Sequence, residues 1–329
     1  MLTIPSSELI DLCRDAILRV GADRQDAQIL AEATVEAELV GNRAVGVTHL
    51  FDYLEGYREG RIAKESRPMV RRIAPAVVGV DARDGLAQSA FAEALDELQA
   101  AARECRIAAL WIKNSFTCGE LGYYPRHLAQ QGFIALASAN SPALMSLGGS
   151  PKAVLGTNPL AYGVPRSGQL PVVIDQASSS TAFVNIRRAA EAGDSIPAGW
   201  AVGPDGKDTQ DAQAALNGTL LPFGGHRGGN IALLVEILAT LSGASFSLDA
   251  APFNSGTTSP RIGVFVLCID PATFDGSIER LMRQFGSLRD NHQVRLPAIE
   301  LTALPDSVTI SAQTLSRLRA AVAQDHHPC

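Results

Sequence analysis

The sequence predicts a mixed α/β fold, because helical and strand patterns alternate along most of its length. Residues 86–104 carry the apolar spacing of a long amphipathic helix, and the apolar runs 76–81 and 106–114 on either side of it are typical of buried strands. A strongly apolar helix is predicted at 228–244, after a glycine-rich turn. The same patterns predict helices at 6–20, 26–40 and 50–60, with Ser6 or Ser7 as the cap of the first, and strands at 133–140, 170–179 and 261–270.

The composition is ordinary for a globular enzyme and argues against several classes of partner. The chain has 329 residues, which suits one large domain or two interleaved domains. Its net charge is −6 and it has no long basic run, so neither nucleic acid nor a membrane surface is expected as the main partner. No apolar run reaches the ~18 residues of a membrane-spanning helix. The five cysteines lack C-x-x-C spacing, which predicts reduced thiols in the cytoplasm, and no cluster of Cys, His and carboxylates suggests a metal site.

The spacing of the glycines limits how a nucleotide can bind. No two glycines are separated by a single residue, so the dinucleotide fingerprint G-x-G-x-x-G cannot occur, and a nucleotide-binding enzyme with this sequence needs another architecture. The best candidate for an anion site is "PFGGHRGGN", in which His226 and Arg227 stand between two glycine pairs just before the apolar helix. A helix N-terminus with adjacent cations favours phosphate.

Three other polar segments are candidates for function, and each also has a purely structural explanation. "NSFTCGELGYY" (114–124) follows a strand and either presents backbone N–H groups to phosphate or forms an ordinary turn. In "GTNPLAYGVP" the proline is expected to keep Asn158 extended, so that Thr157 and Asn158 project from a rigid loop, unless the segment is only a turn. Asp175, at the end of the strand in "VVIDQASSS", suits ribose hydroxyls or the cap of the next helix.

Taken in order, six segments resemble the type-2 malate/L-lactate dehydrogenase family of NAD(P)H oxidoreductases, which includes reductases of Δ1-piperideine-2-carboxylate and Δ1-pyrroline-2-carboxylate. They are "YLEGYREGRI", "NSFTCGELGYY", "GGSPKAVLGTNPLAYGVP", "VVIDQASSSTAF", "IPAGWAVGPDGKDTQD" and "LLPFGGHRGGNIALLVEILATLSGA". The resemblance implies a non-Rossmann nucleotide-binding α/β fold, a homodimer with shared active sites, and hydride transfer from NAD(P)H to a 2-oxo or 2-imino acid. We expect an NAD(P)H-binding domain at 116–269 and a helical, substrate-side domain formed by 1–115 and 270–329.

The resemblance also implies which residues hold the cofactor and the substrate. Those that match cofactor-contacting positions are Thr117, Cys118, Gly119, Glu120, Leu121, Asp175, Gln176, Ala177, Ser178, His226, Arg227, Arg295 and Pro297. NADPH is favoured over NADH, because His226 and Arg227 suit the pyrophosphate or a 2′-phosphate. Thr157 matches a substrate-contacting threonine, and Asn158 beside it is included in the predicted substrate site.

The sequence departs from the family pattern at the positions of the proton relay. The family usually shows Ser-His-Gly with an Arg three residues after the Gly, and the matching residues here are Ala44, Val45, Gly46 and His49. A third relay position, usually Asp, is matched by Asn185. His49 therefore occupies a carboxylate-binding position, and we expect His49 or Thr48 to help Thr157 hold the substrate carboxylate. A packing role for this histidine is the structural alternative.

These losses favour an imine over a ketone as the substrate. Ketone reduction produces an alkoxide, so a placed proton donor contributes about 10²–10⁴ in rate, whereas a cyclic imine can be protonated by water before hydride arrives. We therefore expect an imine reductase of proline metabolism that forms L-proline from Δ1-pyrroline-2-carboxylate, with the six-membered homologue also accepted. The alternatives are a 2-oxo acid dehydrogenase acting on malate, lactate or a similar acid, with His49, Tyr53 or Lys152 as donor, and a cofactor-binding protein without catalysis.

Overall fold

The structure is a computed structural model that describes residues 1–296 and 303–323. Its strands are β1 (Leu2–Pro5), β2 (Met69–Ala74), β3 (Val77–Asp81), β4 (Ile107–Ser115), β5 (Ile134–Ala139), β6 (Leu160–Val164), β7 (Val172–Gln176), β8 (Ala201–Val202), β9 (Asp208–Thr209), β10 (Thr219–Leu220), β11 (Ile262–Ile269) and β12 (Ser307–Ile310). Its α-helices are α1 (Ser6–Arg19), α2 (Arg24–Leu39), α3 (Val47–Arg58), α4 (Ala87–Cys105), α5 (Tyr123–Gln130), α6 (Phe183–Ala192), α7 (Ala212–Leu216), α8 (His226–Thr240), α9 (Ser277–His292) and α10 (Ala312–Ala323).

All helices and strands predicted from periodicity are present, with bounds shifted by a few residues, which confirms the mixed α/β class. The predicted cap of α1 is wrong: the helix begins after Pro5, and no side chain caps it. By contrast, Asp23 caps α2 by accepting the Asp26 N–H at 2.9 Å.

The central element is a seven-stranded sheet in the order β2-β3-β4-β11-β5-β6-β7. Only β3 and β4 pair in parallel, and every other neighbouring pair is antiparallel. Helices cover both faces. Leu110 and Ile112 pack with α4, whereas Trp111 between them points to the opposite face and donates its indole N–H to Leu238 O of α8 at 2.9 Å. The covered central strands explain why β4 and β11 have nearly continuous apolar sequences.

The two ends of the described chain meet in a second layer of structure. Strand β1 pairs antiparallel with β12, and the buried side chains of α1, α2, α3 and α10 form one apolar cluster. Residues 69–115, which we expected in this helical part, instead supply three strands to the central sheet. The division into a cofactor-binding and a substrate-side domain therefore stays a prediction.

A small three-stranded sheet, in the order β10-β8-β9, packs with α6 and α7 around a third apolar cluster. This unit lies in the connection between β7 and α8, and it brings the start of α6 to the site described below. None of the described helices is long and apolar enough to cross a membrane.

Candidate active site

A cavity of about 490 Å³ forms where five segments converge: the start of α3, the segment after β4, the loop after β5, the end of β7 and the start of α6. The residues predicted for the site that line this cavity are Thr48, His49, Thr117, Cys118, Gly119, Leu121, Thr157, Asp175, Gln176 and Ala177. The fold therefore brings together segments that are far apart in the sequence, and we call this space the main cavity.

A buried carboxylate fixes the start of α3 and with it the position of His49. Glu38 Oε1 accepts the Val47 N–H at 2.9 Å, and burial raises the pKa of Glu38. Gly46 precedes the helix, where a Cβ atom would lie only 2.3 Å from Glu38 Oε1. Helix α3 thus begins earlier than predicted, and Thr48 and His49 lie in its first turn rather than before it.

The ring of His49 has polar partners on both sides. Nδ1 lies 2.7 Å from Asp52 Oδ2, and Nε2 lies 3.3 Å from Thr117 Oγ1. Thr117 donates its hydroxyl to Tyr53 Oη at 2.7 Å, and Gln88 Nε2 donates to the same phenol oxygen at 3.1 Å. Tyr53 donates in turn to the Thr117 carbonyl at 3.4 Å. A hydrogen-bonded chain therefore runs from Asp52 to Gln88 through one wall of the main cavity.

Glu120 differs from its neighbours in the predicted cofactor segment, because its side chain is absent from the main cavity. It is buried, and both its oxygens accept from Arg126, which also donates to Glu36 Oε1 at 2.8 Å. Burial raises the pKa of Glu120, and Arg126 opposes this shift. Glu120 thus anchors the segment through a buried ion pair.

Asp175 is a partly buried carboxylate at the junction of two cavities. Its Oδ2 accepts the Gly122 N–H at 3.0 Å, at the start of α5, and lies 3.4 Å from Asn42 Nδ2, so it does not cap α6, the next helix in the sequence. Burial, with repulsion from Glu120, raises the pKa of Asp175 to about 6. Such a carboxylate is ionised at neutral pH and retains acceptor positions for a ligand.

A second cavity of about 670 Å³ adjoins the first, and Asn42, Asp175 and Gln176 line both. Glu120, Arg126 and Arg295 also line the second cavity. Arg295 is therefore close to the other predicted cofactor residues, as expected, whereas Pro297 lies outside the described residues. The two cavities therefore lie on either side of Asp175 and its neighbours.

Thr157 and Asn158 are adjacent, but only Thr157 lines the main cavity. Asn158 is fully buried and donates to Ala232 O and to Glu236 Oε2, both at 2.9 Å. Its φ of +37° is left-handed, so the expectation of an extended residue with a projecting side chain is wrong. Ser178 is also buried and donates to Asn158 O at 2.7 Å, so it stabilises this loop and lines neither cavity.

Three further predicted residues line neither cavity. Asn185 is exposed on α6 and donates to Thr181 Oγ1 at 3.0 Å. His226 and Arg227 are exposed in the first turn of α8, which begins at His226 rather than at Gly228 as predicted. Their roles in the relay and in cofactor binding stay predictions.

The structure adds residues that the sequence patterns did not single out. Arg187 of α6, Arg317 of α10 and Phe253 line the main cavity, although all three lie far from His49 in the sequence. Asp52 also lines it, and its position one helical turn after His49 is a sequence signal that points to this contact. In the part of the chain that the structure describes, no group of three His, Cys, Asp or Glu side chains could hold a metal ion.

Comparisons with known proteins identify the family of the chain. Residues 4–298 match the model of the malate/L-lactate dehydrogenase family. The chain belongs to this family. Its sequence is 35% identical over 312 residues to a (2R)-3-sulfolactate dehydrogenase (NADP(+)) from Chromohalobacter salexigens, covering 93% of each chain. It is also 35% identical over 303 residues to a Δ1-pyrroline-2-carboxylate/Δ1-piperideine-2-carboxylate reductase from Pseudomonas syringae pv. tomato, covering 90% of this chain and 88% of the relative.

Solved structures of the malate/L-lactate dehydrogenase family share the fold. The structure of the Δ1-piperideine-2-carboxylate reductase from Pseudomonas syringae superposes with a TM-score of 0.90 at 32% identity, covering 98% of this chain and 100% of that chain. A sulfolactate dehydrogenase from Methanocaldococcus jannaschii superposes with a TM-score of 0.85 at 24% identity, covering 97% of this chain and 96% of that chain, which supports the fold alone.

Proposed function

We propose that this member of the family reduces a cyclic 2-imino acid, forming L-proline from Δ1-pyrroline-2-carboxylate and L-pipecolate from the six-membered homologue. The observation that carries the proposal is the apolar wall that Ala44 and Val45 contribute to the main cavity. This wall suits the methylene groups of a ring and offers no hydrogen bond to a ketone oxygen. Relatives at 35% identity over most of the chain carry the names of such reductases.

The polar and charged groups that line the two cavities fit a nicotinamide cofactor, and we favour NADPH over NADH. Thr117 and Gly119 follow a strand end, Asp175 offers carboxylate oxygens suited to ribose hydroxyls, and Arg295 places a cation in the adjoining cavity. When bound, the reduced nicotinamide supplies the hydride. The residues of the chain hold it next to the substrate.

The substrate carboxylate is proposed to bind at the Thr157 side of the main cavity. Thr157 and Thr48 offer hydroxyl donors, and His49 lies on the same lining. Arg187 and Arg317 provide positive charge, which favours an anionic substrate. The apolar groups then face the ring, so that C2 of the imine can take up the hydride.

A panel assay tests this function. Oxidation of NADPH and of NADH is followed with Δ1-pyrroline-2-carboxylate, Δ1-piperideine-2-carboxylate, pyruvate, oxaloacetate and 3-sulfopyruvate. We expect kcat/KM for the five-membered imine to exceed that for every oxo acid by at least about 10²-fold, because only the imine arrives with a basic nitrogen that takes a proton before hydride. Robust reduction of pyruvate without imine turnover would contradict the proposal.

The second candidate is a 2-hydroxy-acid dehydrogenase. The observation that favours it is the 35% identity to a sulfolactate dehydrogenase, together with the two guanidinium groups of Arg187 and Arg317 in one cavity. Preferred turnover of 3-sulfopyruvate in the same panel would support this candidate. Cofactor binding without turnover of any panel member would support a non-catalytic protein.

We also propose that the chain works as a homodimer through an exposed apolar face of α8. Leu233, Leu234, Ile237 and Leu241 have relative exposures of 43%, 52%, 52% and 67%, and their spacing places them on one side of the helix. An apolar face of this length is costly in water and is typical of an interface. His226 and Arg227 begin the same helix, and we propose that they complete the cofactor site across this interface.

The mass in solution tests the homodimer. The wild-type protein is expected at twice the 34.7 kDa of the chain in light scattering after size exclusion. Ile237→Glu is expected to give the monomer mass, because a charge cannot be buried in the interface without a partner. Ile73→Glu is the matched control, since Ile73 is 67% exposed on β2, far from α8. A wild-type monomer, or a dimer in Ile237→Glu, would refute the interface.

The cellular and domain assignments belong to the same proposal. We place the enzyme in the cytoplasm, in proline metabolism, which agrees with the free thiols of Cys13, Cys105, Cys118 and Cys268 among the described residues. The cofactor role is assigned to residues 116–269, and the substrate role to the helical part formed by the two chain ends.

A further inference from the structure

We propose that Asp52, His49 and Thr117 form a proton relay that delivers a proton to the substrate nitrogen. This inference rests on the proposed imine reduction, and it replaces the water proton expected from the sequence with a proton delivered by residues of the same cavity. The positions of the usual relay hold Ala44 and Val45, which cannot donate a proton. The new relay lies one helical turn further along α3 and on the segment after β4.

The hydrogen-bond partners of His49 present acceptors to both nitrogens of its ring. Thr117 donates its only hydroxyl proton to Tyr53, whose own proton is directed to the Thr117 carbonyl. Thr117 Oγ1 therefore presents a lone pair to His49 Nε2, at 3.3 Å. On the other side, the Asp52 carboxylate presents only acceptors to Nδ1, at 2.7 Å. Because both ring nitrogens face acceptors, the network is satisfied by the doubly protonated imidazolium.

Gln88 and the aromatic rings keep this network in place. The amide of Gln88 donates to Tyr53 Oη at 3.1 Å, so the phenol cannot turn its proton towards that side. Burial raises the pKa of Tyr53, which keeps the phenol protonated and the direction of the chain fixed. The edges of Tyr53 and Phe253 flank the imidazole, with ring centroids 5.0 Å and 5.8 Å away. The ring of His49 therefore has little freedom to turn.

The same geometry argues against direct carboxylate binding by His49. The positive charge of the imidazolium is offset by Asp52, so the pair attracts a substrate carboxylate only weakly. Neither N–H is free, because Asp52 and Thr117 accept both. Thr117 lines the main cavity beside the ring, so a proton can leave His49 through this hydroxyl.

The proposed step conserves atoms and charge. The Thr117 hydroxyl turns to the substrate and gives its proton to the imine nitrogen, while Oγ1 takes the Nε2 proton of His49. The iminium carbon C2 then accepts hydride from the reduced nicotinamide, and the C=N π electrons become the lone pair of the amine nitrogen. His49 is left neutral with its remaining proton on Nδ1, facing Asp52. Its side chain is 13% exposed, and a water proton from the cavity restores the imidazolium.

Paired substitutions at Thr117 test the relay hydroxyl. Thr117→Val keeps the shape but removes the hydroxyl, and kcat for the imine is expected to fall by about 10²-fold with KM changed by less than about threefold. Thr117→Ser keeps the hydroxyl and is expected to retain kcat within about threefold of wild type. An unchanged kcat in Thr117→Val would overturn the proposal, as would a loss of the same size in Thr117→Ser.

Substitutions of Asp52 and His49 distinguish a proton relay from direct binding of the substrate carboxylate by His49. Asp52 is a positioning residue, so Asp52→Asn is expected to lower kcat by about 10-fold to 10²-fold while KM stays nearly constant. His49→Ala is expected to lower kcat at least as much. If His49→Ala raises KM and retains kcat, His49 binds the substrate carboxylate, and the relay is overturned.

A spectroscopic measurement tests the relay without turnover. In the wild-type protein free of ligand at pH 7, both ¹⁵N resonances of the His49 ring are expected at protonated shifts, assigned by their loss in His49→Ala. In Asp52→Asn one nitrogen is expected to move to the unprotonated shift. If one ring nitrogen of His49 is unprotonated in the wild-type protein, the relay is overturned. If the wild-type enzyme reduces no imine in the panel, the proposed function fails, while this measurement still decides the protonation state.

Discussion

Asp175→Asn is expected to change stability and cofactor binding in opposite directions: the folded protein should become more stable, and NADPH should bind more weakly. In the folded protein the pKa of Asp175 is raised from 3.8 to about 6, first by burial and then by the charge of Glu120. At 1.36 kcal/mol per pKa unit, this shift corresponds to about 3 kcal/mol. Asparagine has the same shape and keeps an oxygen for the Gly122 N–H, but it carries no charge.

The sign follows from the raised pKa. Because the folded state holds its proton more tightly than the unfolded state, the ionisation of Asp175 lowers stability as the pH rises from about 4 through about 6. The loss of stability from this ionisation is absent below about pH 4 and complete above about pH 6. Asp175→Asn is therefore expected to increase the free energy of unfolding by up to about 3 kcal/mol at pH 8 and by about half as much at pH 5.

Urea denaturation of the ligand-free protein at both pH values measures the change in stability. Asp275→Asn is the matched control, since Asp275 is exposed and its substitution should leave the unfolding free energy unchanged within ~0.5 kcal/mol. A fluorescence titration with NADPH gives the second half of the expectation. The loss of a charged acceptor for ribose hydroxyls should weaken binding by about 10-fold or more. An Asp175→Asn protein that is less stable at pH 8 than wild type would refute the electrostatic argument.

Three further predictions concern residues whose surroundings the structure defines. Asn158→Ala is expected to lower the unfolding free energy by about 2–4 kcal/mol, since it removes a donor to the buried Glu236 carboxylate and replaces asparagine by a residue that tolerates a left-handed φ less well. A loss below about 1 kcal/mol in urea denaturation would contradict this. Arg126→Met is expected to lower the unfolding free energy by about 3–5 kcal/mol, because it leaves Glu120 buried without its partner. Urea denaturation measures this loss as well. Cys118 should resist iodoacetamide at pH 8, because burial raises its thiol pKa to about 12, and peptide mass spectrometry showing rapid labelling at this site would count against that pKa.

Much of the fold followed from local patterns. The spacing of apolar residues predicted β4, α4 and β11. An element that is buried along its whole length has apolar residues at the spacing of its buried face. Helix α9 was not predicted, although Leu281, Met282 and Phe285 share one side of it and pack against Val164 and Val172. None of its residues is fully buried.

The candidate site was predicted by segment rather than by side chain. The segments around Thr117, Asp175 and Thr157 do meet at one cavity. Within them, however, Glu120 turns to Arg126 and Asn158 turns to Glu236. Both partners lie on helices whose position relative to the segment is not encoded in its spacing, so no local pattern could separate these residues from their neighbours.

The sequence by itself determined the class of fold, the family and the loss of the usual relay at Ala44 and Val45, because these depend on residue identity and order. Only the tertiary structure decided that His49 lies between Asp52 and Thr117. The distance from His49 to Thr117 is set by how α3 packs beside the end of β4, and the direction of each hydrogen bond is set by Tyr53. A proton relay depends on distances of about 3 Å and on donor direction, and these are properties of packing between elements that are remote in the chain.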